Sequence, residues 1–98
     1  MEIEFASRQL ERRYQQHREA VRAWGAAVAR KYVQQINILY SAERLEELSG
    51  IRSLALHPLK GARLGQHAIT LHDRWRLIVV PVREGVVRIR EVTQHYGD

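Results

Sequence analysis

Residues 67–93 run HAITLHDRWRLIVVPVREGVVRIREVT. Apolar residues alternate with polar ones in three short stretches separated by turn residues, which predicts strands at His67–His72, Trp75–Val82 and Val86–Thr93. The connections are too short for a crossover, so neighbouring strands must run antiparallel. Pro81 lacks an N–H and should weaken pairing near the end of the second strand. Glu84-Gly85 marks the second hairpin turn. A connection at His72–Arg74 pairs Leu71 with Trp75 and Ile69 with Leu77. One at Arg83–Gly85 pairs Val79 with Ile89 and Leu77 with Glu91. One face then gathers Ile69, Leu71, Trp75, Leu77, Val79, Val87 and Ile89. The other carries Thr70, Arg76, Ile78, Val80, Arg88 and Arg90. A slip by one residue would reverse every side chain, so burial selects this register.

The stretch before these strands is mostly helical. Met1–Ala6 first alternates Ile3 and Phe5 with Glu2 and Glu4, predicting a short strand. Ser7 stands where a helix N-cap would, and Leu10 and Tyr14 share one face of the short helix that follows. From about Arg18 to Tyr40, Val21, Trp24, Val28, Tyr32, Ile36 and Leu39 recur every three or four residues and predict one long helix. Gly25 lies inside it and offers close packing against the sheet. Ser41 is placed to cap a third short helix with Leu45 and Leu48 inward, ended by Gly50. Ile51–Gly65, with Pro58, Gly61 and Gly65, reads as an ordered loop with an extended start. The fold class expected is α+β, one domain over residues 1–98. The N-terminal strand and the helices pack on one face of a small, mainly antiparallel sheet.

The chain has 98 residues, 45% of them hydrophobic, enough for one core and too many for a disordered segment. It has no cysteine, so disulfides and thiolate zinc sites are excluded. No apolar run approaches a membrane span, and the acidic start is unlike a signal peptide, so the expected location is the cytoplasm. The net charge is +5. Residues 50–98 hold 8 basic and 4 acidic side chains, whereas residues 1–49 hold 8 and 7. A basic C-terminal half points to a phosphate-bearing partner or to a solvated, arginine-rich surface.

Three places carry candidate chemistry. His57 and Lys60 lie within a few residues of each other in the loop, offering a group that titrates near neutrality and a point cation. Arg76 sits in the middle of an apolar strand, where a guanidinium fork can clamp a phosphate. His95 and Tyr96 follow the last strand and offer a proton and a stacking ring. Each also has an ordinary structural reading: a loop His-Pro, an arginine on a solvated sheet face, and a frayed end. His17, His67 and His72 read as surface residues. The histidine spacing matches no compact metal motif, and there is no glycine-rich phosphate loop or nucleophile elbow.

The run Leu56-His57-Pro58-Leu59-Lys60-Gly61, then Gly65, then Arg74-Trp75-Arg76-Leu77-Ile78, then Val92-Thr93-Gln94-His95-Tyr96-Gly97-Asp98, resembles the RelE/HigB-like toxins of bacterial type II toxin–antitoxin systems. The first and last of these pieces resemble the HigB, or plasmid-maintenance killer, branch. The order of elements extends the likeness over the whole chain.

The resemblance implies a RelE-like fold and a ribosome-dependent mRNA endonuclease, an mRNA interferase that cuts the message in the A site without metal or cofactor. It implies a cognate antitoxin, a HigA-like helix-turn-helix protein, with operator DNA bound only through that complex and no membrane partner. The catalytic positions it carries over are His57, Lys60, Arg76, His95 and Tyr96. Arg74, Arg88 and Arg90 become RNA-binding residues. Some HigB relatives end this strand in Asp-Tyr-His. Here the acidic group is displaced to Asp98 or replaced by Glu91, and the roles of base and acid stay open between His57 and His95. Two other functions fit the same features: a ParE-like inhibitor of DNA gyrase, and a non-catalytic nucleic-acid-binding module.

Overall fold

The computed structural model describes residues 1–95. Strand β1 (Glu2–Phe5) leads into helices α1 (Arg8–Gln15), α2 (His17–Trp24) and α3 (Ala26–Ser41). Strands β2 (His57–Pro58), β3 (His67–Thr70), β4 (Arg76–Arg83) and β5 (Val86–Thr93) follow, and the five form one sheet in the order β1-β5-β4-β3-β2. β1 runs parallel to β5, and every other pair is antiparallel. The expected α+β architecture is therefore present, except that β1 hydrogen-bonds to β5 as an edge strand of the sheet and does not pack on its face. The helical stripe Val28, Tyr32, Ile36 and Leu39 is buried against Ile69, Leu77, Val79, Val87 and Ile89.

The helical layer departs from its expected outline at Gly25. Ser7 does cap α1, its Oγ accepting from the Leu10 N–H at 3.1 Å. The long helix, however, is two helices. Gly25 has φ +86° and ψ 165°, a conformation closed to side-chain-bearing residues, so the chain turns there and α3 starts afresh. A Cβ at Gly25 would meet nothing within 4 Å, so the glycine serves this turn and does not bring the helix close to the sheet. Periodicity could not show the break, because the apolar stripe continues across it. Ser41 also differs from expectation: it ends α3, with its Oγ donating to the Ile38 carbonyl. The segment after it is a 3₁₀ turn at Leu45–Leu48, which buries both leucines as expected.

In the sheet, the Ile69–Leu77 and Val79–Ile89 pairs match the expected register. The Leu77–Glu91 pair does not form. The register shifts between Ile78 and Val79, so Leu77 lies opposite Val92 and Ile78 opposite Glu91, with Arg90 as the extra residue of a bulge. Strict alternation would have turned Glu91 into the core and Val92 outward. The bulge turns Arg90 and Glu91 both outward and leaves Ile89 and Val92 on the apolar face, where both pack with the core.

The outer face is not simply open, as the side-chain pattern implied. Residues read as loop contain β2, which pairs His57 with Ala68 and Pro58 with His67, and a 3₁₀ turn at Gly61–Arg63. This segment lays Leu59 on Ala68 and Ile78, making a second small buried cluster on the outer side. That is why Ile78 is tolerated among arginines.

One buried polar side chain ties the layers together. Gln35 of α3 is almost completely buried, and its Nε2 donates to the Ser53 carbonyl at 3.0 Å and to the Thr70 carbonyl at 2.9 Å. Substituting Gln35→Leu removes both donors and leaves two part-buried carbonyls without them. The expected cost is about 1–3 kcal/mol in urea unfolding, larger than for a Leu-for-Gln change at the exposed Gln34.

Candidate functional site

Cross-strand partners point to the same side of a sheet, so the register assembles the outer face in rows. One row is His57, Ala68, Ile78 and Glu91, and the next is Thr70, Arg76 and Thr93. His57 and Arg76 therefore share a face although they lie far apart in sequence. At about 4.8 Å between strands, their Cα atoms lie within about 12 Å, a span two long side chains bridge around one phosphate.

His57 is half-buried on the edge strand, and its Nδ1 lies 3.0 Å from the Ala55 carbonyl. A carbonyl only accepts, so Nδ1 carries the proton and the neutral ring has its lone pair on Nε2. Ala55 has φ +46°, a left-handed conformation that costs a residue with a Cβ about 1–2 kcal/mol. Arg76 turns its Nη1 back to the Asp73 carbonyl at 2.7 Å and the Trp75 carbonyl at 2.9 Å, which sets the guanidinium at the β3–β4 end of the sheet.

A residue not singled out in the sequence connects the remaining parts. Arg63, in the 3₁₀ turn, bonds Gln66 Oε1 at 2.9 Å and Glu91 Oε2 at 2.9 Å through Nη1. Its Nη2 donates to the His95 carbonyl at 3.2 Å. The His95 N–H donates to Thr93 Oγ1 at 2.9 Å. The segment after β5 is thereby tied to the outer face beside Glu91. Glu91 is engaged by Arg63 and, at 3.5 Å, by Arg90, so it is a structural counter-ion and poorly placed to act as a base. The signal for Arg63 was Glu91 itself, an acid out of phase in an alternating strand and in need of a cation.

The other expected positions divide. Lys60 is exposed just before the 3₁₀ turn, and its carbonyl accepts from the Arg63 N–H at 3.1 Å. Arg74 is exposed in the β3–β4 turn, and Arg90 is exposed at the bulge. Arg88 lies opposite Glu4 and is bound by its carboxylate at 3.1 Å, so it is partly neutralised. Tyr96, with Gly97 and Asp98, lies outside the described residues. Among the described residues, no three His, Asp or Glu side chains come together as a metal site, and no helix is long and apolar enough to cross a membrane.

Neither a protein-family model nor a curated protein matches this sequence. Solved structures do match the fold. A point mutant of YafQ from E. coli superposes with a TM-score of 0.63 at 19% identity, covering 93% of this chain and 89% of that one. YoeB in the YoeB–YefM complex from Staphylococcus aureus gives 0.61 at 24% identity, covering 98% of each chain. The chain has a RelE-like fold. The likeness runs nearly end to end, so the helical layer and the five-stranded sheet both belong to the RelE-like architecture.

His67 differs from its expected surface role. It starts β3 on the side facing Leu45, Glu46 and Pro58, and its Nδ1 is buried with no hydrogen-bond partner among the described residues. Burial lowers its pKa below the ordinary 6.5, the Glu46 carboxylate opposes this, and nearby His57 adds to the lowering. The fold therefore prefers the neutral ring. Above pH 6.5 both folded and unfolded chains hold it neutral, and there is no penalty. As the pH falls below 6.5 the unfolded chain protonates first, and stability declines until the folded ring protonates too. The melting temperature is expected to drop as the pH falls through 6.5, and His67→Leu should flatten that part of the profile.

Proposed function

We propose that this protein is the toxin of a type II toxin–antitoxin pair and acts as a ribosome-dependent mRNA endonuclease. The observation that carries the reading is the shared outer face of His57 and Arg76, with the His95 segment tied to it by Arg63, on a RelE-like fold. YafQ and YoeB are RelE-family toxins, and YoeB was solved with its partner YefM, which supports a cognate antitoxin here. The loop and C-terminal motifs favour the HigB branch and a HigA-like antitoxin.

In the proposed reaction the ribose 2′-OH attacks its own 3′-phosphate in line. A base takes the 2′-OH proton, and an acid returns a proton to the departing 5′-oxygen, leaving a 2′,3′-cyclic phosphate and a free 5′-OH. His57 and His95 supply the proton transfers, and any proton that neutral His57 takes up goes to its Nε2. Arg76 and Lys60 neutralise charge developing on the phosphate. Tyr96 is assigned to positioning a base, and Arg74, Arg88 and Arg90 to the RNA backbone. The cells that make the toxin hold the ribosome and message in the cytoplasm, which is where it would act.

Induced expression should arrest growth, and primer extension on cellular mRNA should show codon-phased cuts. His57→Ala, Arg76→Ala and His95→Ala should each reduce cutting by about a hundredfold or more. If all three arrest growth as the wild type does, the site assignment is wrong. DNA damage without mRNA cuts would instead identify a ParE-like gyrase inhibitor.

A further inference from the structure

Around the end of the sheet from Arg76 lies a cavity of about 630 Å³ between the α2–α3 junction and the β3–β4 turn. Both tryptophans of the chain line it. Trp24 is a fixed wall: its ring meets Tyr32 edge-on at 4.7 Å, and the Arg13 guanidinium sits 5.0 Å from its centroid. Trp75 is half-buried against the core and borders the open space. Gly25, with no side chain, keeps the helical side of the cavity unfilled.

The polar lining is of mixed character. Gln94 brings an amide with both donors and an acceptor, Arg74 a cation, and Asp73 a carboxylate. Asp73 has φ +51°, and its Oδ2 lies 3.3 Å from His72 Nε2, so the turn holds a defined, uncommon shape. An anion alone would not explain the indoles, and an apolar ligand would not explain the amide and the carboxylate. A ring with a flat face and a hydrogen-bonding edge uses all of them.

The cavity shares the β3–β4 turn with Arg76. The Asp73 and Trp75 carbonyls that bind Arg76 belong to the turn that walls the cavity. Gln94 follows Thr93, the cross-strand partner of Arg76. Trp75 and Arg76 are consecutive residues, so one turn joins the cavity wall to the guanidinium.

We infer that the cavity is a subsite for one unpaired nucleobase of the RNA, stacked on Trp75 and bonded along its edge by Gln94 and Asp73. The inference rests on the reading of the outer face as an RNA surface and adds to it a position where base identity is sensed. Stacking of this kind tolerates any base, and the edge contacts introduce preference for those with exocyclic amino groups.

Because both indoles flank the cavity, intrinsic fluorescence reports on it directly. The probe is a nuclease-resistant 2′-O-methyl tetra-adenylate, compared with the same backbone lacking all four bases. Saturable quenching by the tetra-adenylate, with the abasic backbone bound about tenfold more weakly, is the expected result. Gln94→Ala, at an exposed position that should not disturb folding, should weaken tetra-adenylate binding several-fold, and Trp75→Leu should weaken it further. Equal quenching by both probes, or none by either, overturns the inference. Base-dependent quenching without any cellular mRNA cleavage would keep the base subsite and reject the nuclease. Cleavage at the same positions and rates in the wild type, Gln94→Ala and Trp75→Leu would keep the nuclease and reject the subsite.

Discussion

The register of β4 against β5 is the constraint on which the rest of the structure depends. Both strands must bury one face against the helices, yet the sequence of β5 breaks its own alternation at Arg90-Glu91. One bulge resolves the conflict by sending both charges outward and returning Val92 to the core. The consequence reaches well beyond the core. Glu91, once outward, binds Arg63, and Arg63 holds both Gln66 and the His95 carbonyl. A local backbone irregularity thus anchors the segment that carries His57 and the segment that follows the last strand to the same face.

The two faces of the sheet are covered by different means. On one side, α3 supplies a continuous apolar stripe, with Gln35 bonding the carbonyls of Ser53 and Thr70. On the other, a short irregular segment lays Leu59 over Ala68 and Ile78 and leaves the rest of the face polar. The second cover is small because β2 has only two residues, and it leaves Arg76 at its border. A full second helical layer would have buried that face and closed it to a large polyanion.

The candidate site was legible in part. Arg76 was visible as a charge in the middle of an apolar strand, and the strand pairings around it followed from side-chain alternation. His57 was visible only as part of a motif, because nothing local says that a His-Pro dipeptide will form an edge strand beside Ala68. Arg63 was missed, since its role depends on Glu91, 28 residues away. Arg88 was visible as a charge on the outer face, but its ion pair was not. Its partner Glu4 is 84 residues distant, and the parallel pairing of β1 with β5 brings them together.

By itself, the sequence determined what depends on near neighbours: the N-cap at Ser7, the apolar stripe of α3, the hairpins of β3–β5 and the segregation of arginines to one face. Periodicity and turn chemistry act over a few residues, so they are readable along the chain. Only the tertiary structure decided the break at Gly25, the bulge at Arg90, the strand at His57 and the burial of His67. Each of these depends on where a distant segment packs. A backbone angle, an extra residue or a two-residue strand is selected by the free energy of the whole core, and the residues themselves carry no periodic mark of it.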